Sequence, residues 1–165
     1  MTEFDRFDQN ARARGILIDT NLIVLLIVGS VNRDCIPFFK RTRQYTPADW
    51  DLLTGILEQI PRRYAVPHIL SEVSGLTDLK GPELDIARDI LHNWISLVQE
   101  LPVSSLDACA SPYYRRLGLT DAALGLAAKQ QGCSVVTSDS DLYVALSAEG
   151  TPVVKFDHLR EQLLG

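Results

Sequence analysis

Short, wholly apolar runs recur along this chain, each followed by a stretch of helical spacing, and that alternation confines it to an α/β architecture. Gly15-Ile16-Leu17-Ile18 reads as a buried strand ending at Asp19, and the apolar run from Thr20 to Val28 as a helix packed beneath a sheet. Tyr64-Ala65-Val66, Cys133 to Thr137 and Pro152 to Val154 repeat the strand pattern, with a further short strand expected at Val103. Residues 29–45 read as a loop with at most a short helix. Thr46-Pro47-Ala48-Asp49 then supplies an N-cap, a proline at N1 and an acid at N3 for a helix reaching about Ile60. Pro67 opens a helix carrying Ile69, Leu70, Val73 and Leu76. A longer one, Glu83 to Glu100, is expected to bury Leu84, Ile90, Leu91, Trp94, Ile95 and Val98. Thr120 is the expected cap of a helix that Gly132 stops, and Asp141 to Ala148 and Asp157 to Leu164 complete the series. Strands alternating with helices imply a parallel sheet joined by right-handed crossovers.

With 165 residues, the chain suits a single domain over 1–165 with a sizeable core. Residues 1–14 are expected to be flexible or loosely packed. They mix Glu3, Asp5, Arg6, Asp8, Arg12 and Arg14, with no apolar core of a secretory signal. The apolar run from Ile16 to Val28 is too short to span a bilayer, and Asp19, Thr20 and Asn21 interrupt it. No membrane partner is expected. The three cysteines, Cys35, Cys109 and Cys133, have neither zinc-site spacing nor an even count, which points to small buried side chains in a reducing, cytoplasmic setting.

Four carboxylates stand where such a fold can gather them. Asp19 and Asp139 follow strands, Asp121 begins a helix, and Glu72 lies in the helix after the second strand. The carboxyl ends of parallel strands share one edge, which is where open α/β sheets bind their ligands. Taken singly, each acid has a plain explanation. Asp19 could cap a helix, Asp121 could sit at a helix N-terminus, and Asp139 and Asp141 could serve a turn. Glu72, flanked by Leu70 and Val73, needs a cation, a donor or an exit to solvent. Their order and contexts together are more specific. Clustered carboxylates repel one another unless a divalent cation neutralises them, so the pattern predicts a metal-dependent enzyme. Hard oxygen ligands without His or Cys suit Mg²⁺ or Mn²⁺ rather than zinc. The net charge of −5 argues against a nucleic-acid partner only until these four acids are set aside, which leaves the rest of the chain close to neutral.

In these motifs the chain resembles the PIN-domain nucleases. The matching pieces are Ile-Leu-Ile-Asp-Thr-Asn, Val-Pro-His-Ile-Leu-Ser-Glu-Val, Leu-Thr-Asp-Ala-Ala-Leu-Gly-Leu-Ala and Val-Val-Thr-Ser-Asp-Ser-Asp-Leu, in that order. The resemblance implies a PIN-like three-layer α/β/α domain with a parallel sheet of about five strands. It implies an endoribonuclease that binds one or two Mg²⁺ or Mn²⁺ ions through Asp19, Glu72, Asp121 and Asp139, these being both metal ligands and catalytic residues. Asp141 is the rival to Asp139, and otherwise touches the metal through water or serves the turn. Asn21 and Thr137 match polar positions that bind water or orient the acids. Many members of the family are VapC-type toxins, so an antitoxin partner and a homodimer are implied, and other members process RNA without an antitoxin. The segment 29–60 exceeds what the small toxins carry between the first two acids.

On the substrate side, Arg115 and Arg116 precede the Asp121 helix, and Arg116 is the preferred phosphate contact. Lys40, Arg41, Arg43, Arg62 and Arg63 are further basic positions. His68, one turn before Glu72, is expected to be a satisfied, partly buried histidine, and His92 and His158 surface residues. The alternatives are a non-catalytic relative that binds RNA or protein, and an acidic-pocket phosphatase or receiver-like domain. A phosphatase of the haloacid-dehalogenase kind wants Asp-x-Asp where this chain has Asp19-Thr20-Asn21. A receiver wants a lysine after its last strand, which Lys155 matches loosely.

Overall fold

The computed structural model describes residues 1–165. Five parallel strands form one sheet in the order β3-β2-β1-β4-β5. They are β1 (Ile16–Ile18), β2 (Arg63–Ala65), β3 (Gln99–Glu100), β4 (Ser134–Thr137) and β5 (Val153–Lys155). All residues of β1 and β4 are buried, as central parallel strands covered on both faces must be. Ten helices flank the sheet. The chain steps from β1 to β2 to β3 in one direction, then returns past β1 to β4 and on to β5. With right-handed crossovers, that reversal sends the connecting helices to opposite faces and opens a crevice between the carboxyl ends of β1 and β4. The α/β/α architecture matches the sequence expectation.

The helix after β1, α2 (Thr20–Val31), is apolar except at Thr20, Asn21 and Ser30 and packs against α3 (Pro47–Gln59), α4 (Pro67–Leu76) and α5 (Pro82–Leu97). Between β3 and β4 run α6 (Ser105–Ala110), α7 (Tyr114–Leu117) and α8 (Leu119–Gln131); α9 (Ser140–Ala148) and α10 (Phe156–Leu164) flank β5. One continuous cluster of buried side chains runs from Phe7 to Leu159. Each fully buried aliphatic or aromatic side chain in it contributes about 1.5–3 kcal/mol.

Residues 1–14, expected to be loose, instead form the helix α1 (Glu3–Arg14). Thr2 and Asp5 make a reciprocal capping box, and Phe7 and Ala11, one turn apart, are fully buried. The Ser134 hydroxyl donates to the Phe7 carbonyl at 2.9 Å, and the Asn10 amide donates to the Gly132 carbonyl at 3.0 Å. A polar average hid a narrow apolar stripe.

Other boundaries also moved. The helix expected to reach Glu100 ends at Leu97, because Gln99 and Glu100 pair with Tyr64 and Ala65 as the edge strand; Val103 is no strand. Ile95, expected inside, is 40 % exposed. The N-cap before α8 is Gly118, not Thr120, at φ +82°, a conformation that favours glycine. Asp121 accordingly sits at N3.

The segment 29–60 is built on α3, whose Thr46–Asp49 capping box forms as the sequence predicts. The Trp50 indole lies directly on Gly29, where a Cβ would collide with the ring, and donates to the Leu26 carbonyl at 3.1 Å. Arg33 grips Asp51 through two bonds of 3.0 and 2.5 Å. Asp49, 1 % exposed, accepts two hydrogen bonds from the Arg160 guanidinium of α10, at 2.6 and 3.1 Å.

Candidate active site

Asp19 ends β1 and caps α2, accepting from the Leu22 N–H at 3.3 Å. Asp139 lies two residues past β4 and caps α9, accepting from the Leu142 N–H at 2.8 Å. The register pairs Ile18 with Val136, so Asp19 falls beside Thr137 at the sheet's carboxyl edge. The Thr137 hydroxyl donates to Asp19 Oδ2, which also accepts from the Ser138 N–H at 3.0 Å. Thr137 Oγ1 accepts in turn from the Asp139 N–H at 2.9 Å. One buried hydroxyl therefore fixes the rotamer of Asp19 and the backbone at Asp139.

Burial pushes the Asp19 carboxyl up to about 6, against the pull of the bonds from Thr137, Ser138 and Leu22, and Asp139 adds repulsion. Asp121 rises further, to about 7, first through burial and then through the charges of Asp139, Asp19 and Glu72. All four acids thus share one electrostatic neighbourhood, centred on Asp121. Three of them stand at helix N-termini, which favours their charged forms by about 0.3–1 kcal/mol each. A tenfold change in protonation is worth 1.36 kcal/mol. Burial and mutual repulsion therefore win over the helix dipoles for Asp19 and Asp121.

None of the four forms a salt bridge. The buried carboxylate of Asp49 is answered by Arg160, whereas Asp19, 4 % exposed, is answered by no side-chain cation. Beside Asp19 the Thr20 hydroxyl is buried without a partner. Glu72 and Asp139 are solvent-exposed, as is Asn21 on the first turn of α2. No three of these side chains close into a ready-made metal shell. The exposed carboxylates of Glu72 and Asp139, with Asp121 partly exposed beside them, suit Mg²⁺ or Mn²⁺, since Mg²⁺ keeps several waters and takes one or two carboxylates directly. The donor set fits the ion.

Asp141, the rival fourth acid, is 71 % exposed at its side chain and meets the Arg116 guanidinium at 3.4 Å. Asp139 rather than Asp141 adjoins Asp19 through Thr137. Arg115 is exposed and makes no ion pair. His68 Nε2 lies 2.8 Å from the Ser105 hydroxyl, joining α4 to α6, but its Nδ1 is buried without a partner, so the histidine is only half satisfied. His92 and His158 are exposed. Lys155 sits 3.6 Å from Asp157 and pairs with none of the four acids. Cys133 is buried as expected, but Cys35 is only partly so and Cys109 is exposed.

Sequence reasoning missed Tyr45. Its hydroxyl is buried beside Ser138, within electrostatic reach of Asp19, and burial pushes it up to about 12. It stays protonated and can donate toward the site. Its position directly before the Thr46 N-cap, where apolar residues often anchor an incoming helix, was the only signal available.

Comparison with protein families, with curated proteins and with solved structures finds no match to this chain.

Proposed function

We propose that this protein is a Mg²⁺- or Mn²⁺-dependent endoribonuclease of the PIN-like kind. The observation that supports this most is the position of Asp121, raised to about 7 by burial and then by the charges of Asp139, Asp19 and Glu72, with no basic residue paired to any of the four. A purely binding domain gains nothing from four mutually repelling acids, and a receiver would need a basic partner that Lys155 does not provide.

Asp19 and Asp121 would be the inner ligands, and the exposed Glu72 and Asp139 would hold the ion directly or through its waters. A divalent cation in such a site lowers the pKa of water and offsets charge that develops on the departing oxygen. The chain's own contribution is orientation. Thr137 and the Ser138 N–H hold one oxygen of Asp19, leaving its other oxygen for the ion and the Leu22 N–H. Hydrolysis would break the phosphorus–O3′ bond, leaving a 5′-phosphate and a 3′-hydroxyl. The exposed Arg116–Asp141 pair is worth little by itself, so Arg116 can exchange Asp141 for a substrate phosphate.

The biological role proposed is that of a toxin in a type II toxin–antitoxin pair, which adds an antitoxin as partner. Purified Asp19→Asn and Asp121→Asn proteins are expected to fold and to lose Mn²⁺-dependent cleavage of RNA. Wild-type activity in either variant would end the metal-nuclease reading.

A further inference from the structure

The irregular segment between α2 and α3 is pinned at three points and displayed between them. Ile36 and Thr42 are fully buried, and the Thr42 hydroxyl donates to the Ile36 carbonyl at 2.7 Å. Tyr45 closes the segment, buried with its ring edge-on to Phe156 at 6.2 Å between centroids. Successive turns hold the intervening backbone, with the Phe38 N–H on the Cys35 carbonyl and the Thr42 N–H on the Phe39 carbonyl, each at 3.0 Å. On this fixed scaffold Phe38 is 81 % exposed, whereas Phe7 and Phe156 lie wholly inside. Lys40, Arg41 and Arg43 follow it closely in the chain, all exposed.

Opposite stands the turn after α4, with Asp78 and Lys80. The two segments enclose a bay of about 350 Å³ in which Phe38 and Phe39 sit among three cations, Lys40, Arg43 and Lys80, and two acids, Asp78 and Glu83. Of the four cations Lys40, Arg41, Arg43 and Lys80, only Lys40 forms a salt bridge, with Asp78 at 2.8 Å. The chain as a whole is acidic, at −5, so this basic cluster runs against its overall charge. The chain ties it to the acids on both sides. Arg43 is two residues from Tyr45, at most about 7 Å along the backbone, and Asp78 follows the helix that carries Glu72.

We infer that this bay holds single-stranded RNA beside the acidic site, with Phe38 stacking on a base and Arg41, Arg43 and Lys80 meeting the phosphates. An exposed ring ordered among unpaired cations matches how single strands are bound: stacking is available only to unpaired bases, and Arg and Lys follow the backbone. The inference rests on the nuclease reading for the identity of the polymer and specifies its form, a strand rather than a duplex. It also assigns the segment 29–60 a role that Arg115 and Arg116, before the Asp121 helix, do not fill.

The test is fluorescence anisotropy of the full chain in EDTA with labelled oligouridylate, alone or annealed to oligoadenylate. Phe38→Ala is expected to weaken single-strand binding about tenfold or more, leaving duplex binding unchanged. Since Phe38 is exposed, the variant should melt at the wild-type temperature. Replacing Arg41 and Arg43 together by Gln should flatten the log–log salt dependence by about 1.4. Wild-type single-strand affinity in these variants, or an equal loss on duplex, overturns the inference. So does a Phe38→Ala protein that changes only its self-association, which would make the bay a contact between copies. The two readings fail separately: cleavage that needs Asp19 but ignores Phe38 removes the bay alone, and binding that needs Phe38 with cleavage indifferent to Asp19 removes the nuclease alone.

Discussion

Thr137 donates its hydroxyl hydrogen to Asp19 across the β4–β1 pair, and the same oxygen receives the Asp139 N–H. Acids separated by 120 positions in sequence are therefore set by one side chain. Thr137→Val keeps the shape of the residue and removes both bonds. Mn²⁺ affinity, measured calorimetrically, is expected to fall about 10- to 100-fold, and Thr137→Ser to restore it. Unchanged affinity in the valine variant would show that Asp19 needs no such support.

The raised carboxyls give the metal-free protein a distinctive pH response. Asp19 and Asp121 titrate near 6 and 7 when folded and near 3.8 when unfolded, so the folded state holds more protons between those values. Their contribution to stability is complete below pH 3.8 and is lost as pH rises through 6 and 7. In EDTA the Tm is expected to fall from pH 5 to pH 8, with Mn²⁺ reversing the fall. Asp121→Asn should flatten the profile and raise the Tm at pH 8. A metal-free Tm that climbs over this range contradicts the shared repulsion.

Asp49 and Arg160 form the one ion pair with a fully buried carboxylate. Arg160→Met would leave Asp49 in the interior without its cation, a loss of about 3 kcal/mol in urea unfolding. A loss below 1 kcal/mol would mean that the Thr46 N–H, 2.8 Å from Asp49 Oδ2, satisfies it alone.

Gly29 lets the Trp50 ring sit on the backbone of α2. Gly29→Ala is expected to destabilise the fold by about 1–3 kcal/mol through that collision. An alanine variant as stable as wild type would show that α3 can shift away without loss.

Much of this protein was legible in its residues. The all-apolar Ile16–Ile18 and Val135–Val136 can only be central parallel strands, and Thr46, Pro47 and Asp49 announced a helix start that forms as expected. The order of Asp19, Glu72, Asp121 and Asp139 named the candidate site, because strand ends in such a sheet must face one edge. Local pattern fixes these features, since periodicity and capping act over a few residues. Tertiary contact decided the rest. Gln99 and Glu100 became a strand only because β2 offered an unpaired edge, and α1 formed where β4 could cover Phe7. Likewise, only the folded chain distinguishes Asp49, answered by Arg160, from Asp19, answered by no side-chain cation. A carboxylate's partner and its exposure are set by residues far away in sequence, and no local pattern records them.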